Sequence, residues 1–215
     1  MNWLEAATAL LVSFGITWIA VGLSIRLSMR WKLLDYPDGG RKTQSSPVPK
    51  LGGIAVAVVM TLIVSVGFVA TGRLGLGLAL QVLVPALAAA AIGFLDDRND
   101  LNPYVRLLFI AVVGALAWLL GSRIELTGVA ALDTAMTVLW VVVLVNAVNL
   151  LDNADGLAAS TVFVMAAAAS TIAALFGQAL VSLLGVTLMG VAIGYLRHNW
   201  HPARVYMGDS GAYFL

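Results

Sequence analysis

Long apolar stretches separated by short polar ones dominate this 215-residue chain. Seven of them, at roughly 4–27, 52–71, 76–95, 104–121, 134–151, 158–176 and 179–196, approach the ~20 mostly apolar residues that a helix needs to cross a bilayer. The pattern predicts an all-α fold, a polytopic membrane helical bundle of about seven transmembrane helices, with residues 1–215 forming a single integral membrane domain. Pro85 lies inside the third stretch and predicts a kink there, because proline removes a helix hydrogen bond. Gly190 and Gly194 form a GxxxG pair in the seventh, which reads as a helix-packing surface.

The polar segments fall into two sets. Thr71–Gly75, Gly121–Asp133 and Gly177–Gln178 are bland, whereas Met29–Lys50, Asp96–Pro103, Asp152–Gly156 and Arg197–Ser210 are rich in charge, proline and glycine. Seven alternating spans place the whole second set on one face. Ten of the twelve Lys and Arg residues lie there, with only Arg73 and Arg123 opposite. The excess of basic residues makes that face cytoplasmic, with the N-terminus outside and the C-terminus cytoplasmic. Eight of the eleven acids share the face, which the charge rule does not require and which a cytoplasmic active face explains. The first span begins with Asn2 and Glu5, and its basic residues Arg26, Arg30 and Lys32 follow it. It therefore reads as an uncleaved span and not as a secretory signal.

Composition narrows the class further. With 61% hydrophobic and 11% charged residues, against about 25% charged in ordinary domains, there is too little polar surface for a soluble protein. The absence of cysteine excludes disulfides and thiolate metal sites.

Four stretches could carry chemistry. The first is Asp35–Gly53, with Arg41, Lys42, Lys50 and the pair Gly52-Gly53 where a helix begins. It reads either as a basic loop touching lipid headgroups or as a phosphate-binding loop with free helix N–H groups. The second, Gly93–Leu101, has adjacent Asp96 and Asp97, whose repulsion a hard cation such as Mg²⁺ would relieve. A solvated acidic turn beside Arg98 is the plain alternative. The third, Asn146–Leu157, closes an apolar run with three Asn and two Asp. Asn146, Asn149 and Asn153 fall on one helical stripe with Asp152 beside it, and Asp155-Gly156 signals a break. An Asn stripe gluing two helices would explain the amides but not the acids. In the fourth, Arg197–Gly211, His198 and His201 read first as interfacial anchors, while Asp209 sits between glycines in an apparent tight turn. Clusters of this kind on one face, with no Ser triad, suggest Mg²⁺-assisted phosphate chemistry.

In this order, the four stretches resemble the polyprenyl-phosphate N-acetylhexosamine-1-phosphate transferases, which include the phospho-N-acetylmuramoyl-pentapeptide transferases. The matching pieces are Asp35-x-Pro37 with Arg41-Lys42 and Pro47-x-Pro49-x-x-Gly52-Gly53, then Asp96-Asp97-x-x-Asp100-Leu101. They continue with Asn146-x-x-Asn149-x-x-Asp152-x-x-Asp155-Gly156-Leu157-Ala158, and end with Asn199 and Met207-Gly208-Asp209-x-Gly211. The resemblance implies transfer of a sugar-1-phosphate, N-acetylglucosamine-1-phosphate first among candidates, from a UDP-N-acetylhexosamine to undecaprenyl phosphate, releasing UMP. It implies catalytic roles for Asp96, Asp97, Asp152 and Asp155, substrate contacts at Arg41, Lys42, Asn149 and Asn199, and Mg²⁺ (Mn²⁺ as alternative) held by Asp209 and Asp152. It further implies a bacterial inner membrane location and the lipid bilayer as a partner; a homodimer is admitted and no nucleic acid is expected. Gln44 stands where the family usually has His, and Ala212 where it usually has Ser. Family members usually run past 300 residues, so the resemblance implies the N-terminal part of a larger transferase fold. Two rivals remain at this point. One is a membrane prenyltransferase using Asp96-Asp97-x-x-Asp100 as a DDxxD diphosphate device. The other is a transporter with acids lining a mid-bilayer pathway.

Overall fold

A computed structural model describes residues 3–37, 46–71 and 76–215. Helices α1 (Trp3–Trp31), α2 (Gly52–Thr71), α3 (Leu76–Asn99), α4 (Pro103–Leu120), α5 (Ala130–Leu151), α6 (Leu157–Leu175) and α7 (Ala179–Asn199) correspond one to one with the seven apolar stretches. Six are long and apolar enough to cross a membrane, and α2 is shorter over its described side chains. Leu11, Val66, Leu119, Leu139, Val164 and Leu175 are all exposed, as expected where lipid and not water is the solvent. The structure adds two elements the pattern did not predict. One is a two-stranded antiparallel ladder of β1 (Leu34–Asp35) and β2 (Val48–Pro49). The other is a seven-residue helix α8 (Gly208–Phe214).

Small residues set the packing. Cβ atoms at Gly190 and Gly194 would strike Ser13, Leu10, Phe14, Thr17 and Trp18 of α1, so the GxxxG pair is the seam between α1 and α7. Gly185 likewise abuts Ala166 and Ser170, and the Ser170 hydroxyl donates to the Ser182 carbonyl at 2.8 Å across α6 and α7. Close backbone approach is how membrane helices gain dispersion energy when lipid supplies no hydrophobic drive. Helix α3 runs through Pro85 as one continuous element. At the turn before α4, the Asn102 side chain accepts the Tyr104 N–H, and Pro103 follows at the first helical position, where its missing N–H is harmless.

The alternation of the helices brings the C-terminal ends of α1, α3, α5 and α7 together with the N-terminal ends of α2, α4 and α6. Helix α8 enters the bundle from this charged end, against α2, α3 and α5. At the opposite end, Asp133 is buried and accepts the N–H groups of Leu126 and Thr127 and the Thr127 hydroxyl. It orders the loop before α5, which accounts for this one buried acid away from the charged end.

Candidate active site

The site is assembled around the backbone of Tyr206–Gly211. Pro49 accepts the Tyr206 N–H at 2.8 Å, Gly52 N–H donates to the Tyr206 carbonyl at 3.2 Å, and Gly53 N–H donates to the Met207 carbonyl at 3.0 Å. The start of α2 is therefore not a set of free N–H groups awaiting phosphate, as one reading of the first loop expected. Its Gly52 and Gly53 donors are taken by the chain's own 206–207 segment. The glycines permit a close approach, but to backbone: a Cβ on Gly53 would collide with Gly211 and the Met207 carbonyl, and one on Gly93 would collide with the Asp209 carbonyl.

Asp209 itself lies in the first turn of α8 and not in an isolated tight turn. Gly208 precedes it at φ +69°, a left-handed conformation that side-chained residues rarely adopt. Asp97, at the end of α3, accepts the N–H groups of Asp209 and Ser210 on its two oxygens, both at 3.1 Å. Asp152, just past the end of α5, accepts from Gly208 N–H. Two carboxylates thus hold the start of α8, a favourable place for negative charge.

Asp96 is adjacent in sequence but differently engaged. It is buried and accepts the Tyr213 hydroxyl at 2.8 Å, the Leu101 N–H at 2.9 Å and the Arg106 guanidinium at 3.4 Å. It also shares a hydrogen bond with Asp209. Asp100 is exposed with φ 45°. The three acids of the DDxxD pattern therefore face different partners, and they do not form the common ligand set that the prenyltransferase reading needs.

The expected Asn stripe is interrupted because α5 ends at Leu151. Asn146 and Asn153 bond back to Val142 and Leu150 of their own chain segment, so they do not glue helices together. Asn149 is half-buried nearby. The break predicted at Asp155-Gly156 is present, with Gly156 at φ +72° opening α6. Asp155 is re-aimed onto the loop after α7, where it meets His201 Nδ1 at 2.9 Å and accepts the Ala203 N–H at 3.0 Å. Asn199 is buried and bonded at both ends: it accepts the Gly156 N–H and donates to the Val205 carbonyl, each at 2.9 Å. That makes it a brace of the site wall. His198 bonds the Trp18 carbonyl of α1 at 3.0 Å, in keeping with an anchor. Arg41 and Lys42, like Gln44, lie outside the described residues.

Electrostatics ties the acids into one unit. Burial, then the charges of Asp209 and Asp97, push Asp152 up to about 8. Burial, the charges of Asp97 and Asp96, and the bond with Asp96 push Asp209 up to about 7, with Arg106 opposing. Lys50 faces the same cluster: burial opposes its charge, but its bond with Asp35 and the charges of Asp35, Asp97 and Asp209 raise it. Sequence reasoning placed Lys50 in a candidate phosphate-binding loop but counted Arg106 only as a basic residue, and it missed Tyr213 altogether. Nothing in the apolar run Ala212–Leu215 marks that tyrosine except that a buried Asp96 must find a donor.

Among the described residues no three acidic or histidine side chains form a ready metal cage. The donors at hand, Asp152 and Asp209, still fit a hard divalent cation. They are oxygen ligands whose ionisation is suppressed by burial and by neighbouring acids, and Mg²⁺ commonly takes one or two carboxylates and completes its shell with water and substrate phosphate.

Residues 79–215 match the family model described as "Glycosyl transferase family 4". The chain is 28% identical over 222 residues to the "Probable undecaprenyl-phosphate N-acetylglucosaminyl 1-phosphate transferase" of Bacillus subtilis (strain 168), covering 99% of this chain and 60% of that protein. It is 29% identical over 237 residues to the "Decaprenyl-phosphate N-acetylglucosaminephosphotransferase" of Mycolicibacterium smegmatis, covering 98% and 57%. It is 31% identical over 244 residues to the "Phospho-N-acetylmuramoyl-pentapeptide-transferase" of Desulforudis audaxviator, covering 98% and 72%. The chain thus spans between 57% and 72% of the length of these relatives.

Proposed function

Because the chain belongs to glycosyl transferase family 4, we propose that it forms the acid-lined core of an enzyme that moves a sugar-1-phosphate onto a polyprenyl phosphate. The donor in this reading is a UDP-N-acetylhexosamine, with UDP-N-acetylglucosamine first, and the acceptor is undecaprenyl phosphate in a bacterial plasma membrane. The active face is cytoplasmic. The observation that carries the reading is the convergence of Asp97, Asp152 and Asp209 on the start of α8, beside a bundle whose outer surface suits a lipid substrate. The names of the relatives support the same chemistry.

An oxygen of the lipid phosphate attacks the β-phosphorus of the UDP-sugar. A new phosphorus–oxygen bond forms, the diphosphate bond to the nucleotide breaks, and UMP leaves. The nucleophile is already anionic at neutral pH, so positioning and charge neutralisation dominate over base catalysis. Asp209 and Asp152 would hold the metal. When bound, Mg²⁺ supplies charge stabilisation to the phosphate oxygens. Asp97 fixes the start of α8 and with it the backbone of Asp209. Asp96, paired with Arg106 and accepting the Tyr213 hydroxyl, ties the end of α3 to α8 and so keeps the segment that carries Asp209 in place. Asp155, held by His201 and Ala203, and Asn149 line the approach for the nucleotide.

Release of UMP from UDP-sugars by the detergent-solubilised protein, with undecaprenyl phosphate as acceptor, tests the reading. UMP formation that depends on both substrates supports it. Pyrophosphate released from a prenyl diphosphate would replace it with prenyl transfer.

A pH effect follows from the same acids. Asp152 and Asp209 bind protons more tightly folded than unfolded, so their contribution to stability is fully present below the ordinary carboxyl value of 3.8 and is lost as pH rises through about 7 and about 8. A cation that takes the place of the protons reverses the loss. Added Mg²⁺ is therefore expected to raise the melting temperature more at about pH 8.5 than at about pH 5.5. An equal response at both values would remove these two carboxylates as its ligands.

A further inference from the structure

A diphosphate approaching a cluster of acids is repelled unless positive charge meets it. Arg106 is committed to Asp96. Lys50 stands next to the backbone crossing that carries the cluster, and its main chain is fixed there, its N–H donating to the Leu33 carbonyl at 3.3 Å. It follows β2, whose Pro49 carbonyl accepts the Tyr206 N–H, and precedes Gly52 and Gly53, which bond the Tyr206 and Met207 carbonyls. That stretch leads directly into Gly208 and Asp209. The Lys50 ammonium lies 2.9 Å from Asp35 Oδ1, with the Lys50 side chain 38% exposed and that of Asp35 only 10%. Its charge acts on both Asp97 and Asp209. An ammonium carries three donors, and Asp35 engages it from the buried side.

We propose that Lys50 is a binding residue for the substrate's diphosphate: the β1–β2 ladder and Asp35 hold its ammonium at the rim of the acid cluster, where it meets phosphate oxygens that Asp97 and Asp209 would otherwise repel. The substrate class rests on the transfer reading above, while the place of the ammonium rests on the ladder and the ion pair. Asp35 is then a positioning residue for Lys50. The plainer account is an ion pair that only pins β1 to the residues after β2.

The two accounts separate in Lys50→Ala, Lys50→Arg and Asp35→Asn, each measured in detergent. Binding of inorganic pyrophosphate in the presence of Mg²⁺ is read by calorimetry, and KM and kcat for the UDP-sugar are read by UMP release. Lys50→Ala is expected to weaken pyrophosphate binding and raise KM by about ten- to a hundredfold, the loss of one charge-assisted hydrogen bond, with kcat changed far less. Lys50→Arg restores most of both, and Asp35→Asn, which loosens the ammonium without removing it, weakens pyrophosphate binding and raises KM in the same direction but by a smaller factor than Lys50→Ala. If instead Lys50→Ala and Asp35→Asn lower the melting temperature alike and leave pyrophosphate binding unchanged, the proposal is overturned. Pyrophosphate binding needs no sugar nucleotide. A parent protein that binds it through Lys50 but forms no UMP would therefore sink the transfer reading and leave the Lys50 assignment standing.

Discussion

Replacing Asp209 with asparagine is expected to lower sugar-phosphate transfer by at least about a hundred- to a thousandfold, the scale on which removing one electrostatic contact to a transition state costs an enzyme. The fold should survive, and the reasons are on the main chain. Asp97 takes the backbone N–H groups of residues 209 and 210, which the substitution keeps. The Gly93 backbone contact is to the Asp209 carbonyl, also kept. Ionised Asp209 is held at a cost, first by burial and then by the charges of Asp97 and Asp96, which is why it is pushed up to about 7. A neutral amide of the same size removes both the buried charge and the repulsion. At about pH 8 without divalent cation, Asp209→Asn should therefore melt no lower than the parent, while its UMP release falls away. Unchanged turnover would end the assignment of Asp209 as a metal ligand. A large drop in melting temperature would move it from chemistry to scaffold.

The spans were legible because the apolar periods are long and the breaks between them are marked: Gly-Gly at 52–53, Asn102-Pro103, Gly121 and Gly156. The one-sided distribution of charge was legible for the same reason, since charged side chains collect at helix ends when lipid surrounds the middle. What each acid does was not legible. Asp96 and Asp97 are neighbours on a helix and so point about 100° apart. One faces Arg106 and Tyr213, the other faces the start of α8. Sequence spacing treats them as a pair, whereas the fold gives them separate tasks. Gly52-Gly53 failed differently. The close approach it signals is real, but the approaching group is Tyr206–Gly211, more than 150 positions later. No local pattern can tell a phosphate from a distant stretch of backbone. Helix α8 was missed because Met-Gly-Asp-Ser-Gly has turn composition. It is helical because Asp97 and Asp152 supply acceptors for its first N–H groups and because the bundle buries Ala212, Tyr213 and Phe214.

Gly53→Ala is expected to remove both stability and activity, which distinguishes it from any loss at the acids. The added methyl would meet the Gly211 backbone and the Met207 carbonyl. Neither is a side chain that can rotate aside, so the crossing of α2 over the start of α8 must open. Overpacking of this kind costs about 1–3 kcal/mol or more, enough to shift a melting curve measurably. The opening also breaks the two bonds from Gly52 and Gly53 to residues 206 and 207, and these join the stretch that follows Lys50 to the stretch that leads into Asp209. Transfer and melting temperature should fall together. Gly15→Ala provides the control: Gly15 lies in α1 with nothing within 4 Å of the position its Cβ would take, and alanine is the better helix former by about 1 kcal/mol. It should leave turnover unchanged and melting unchanged or slightly higher. If Gly53→Ala behaves like Gly15→Ala, the backbone crossing does not set the site. If it loses both properties while Asp209→Asn loses only turnover, the glycine crossing is the scaffold on which the carboxylates act.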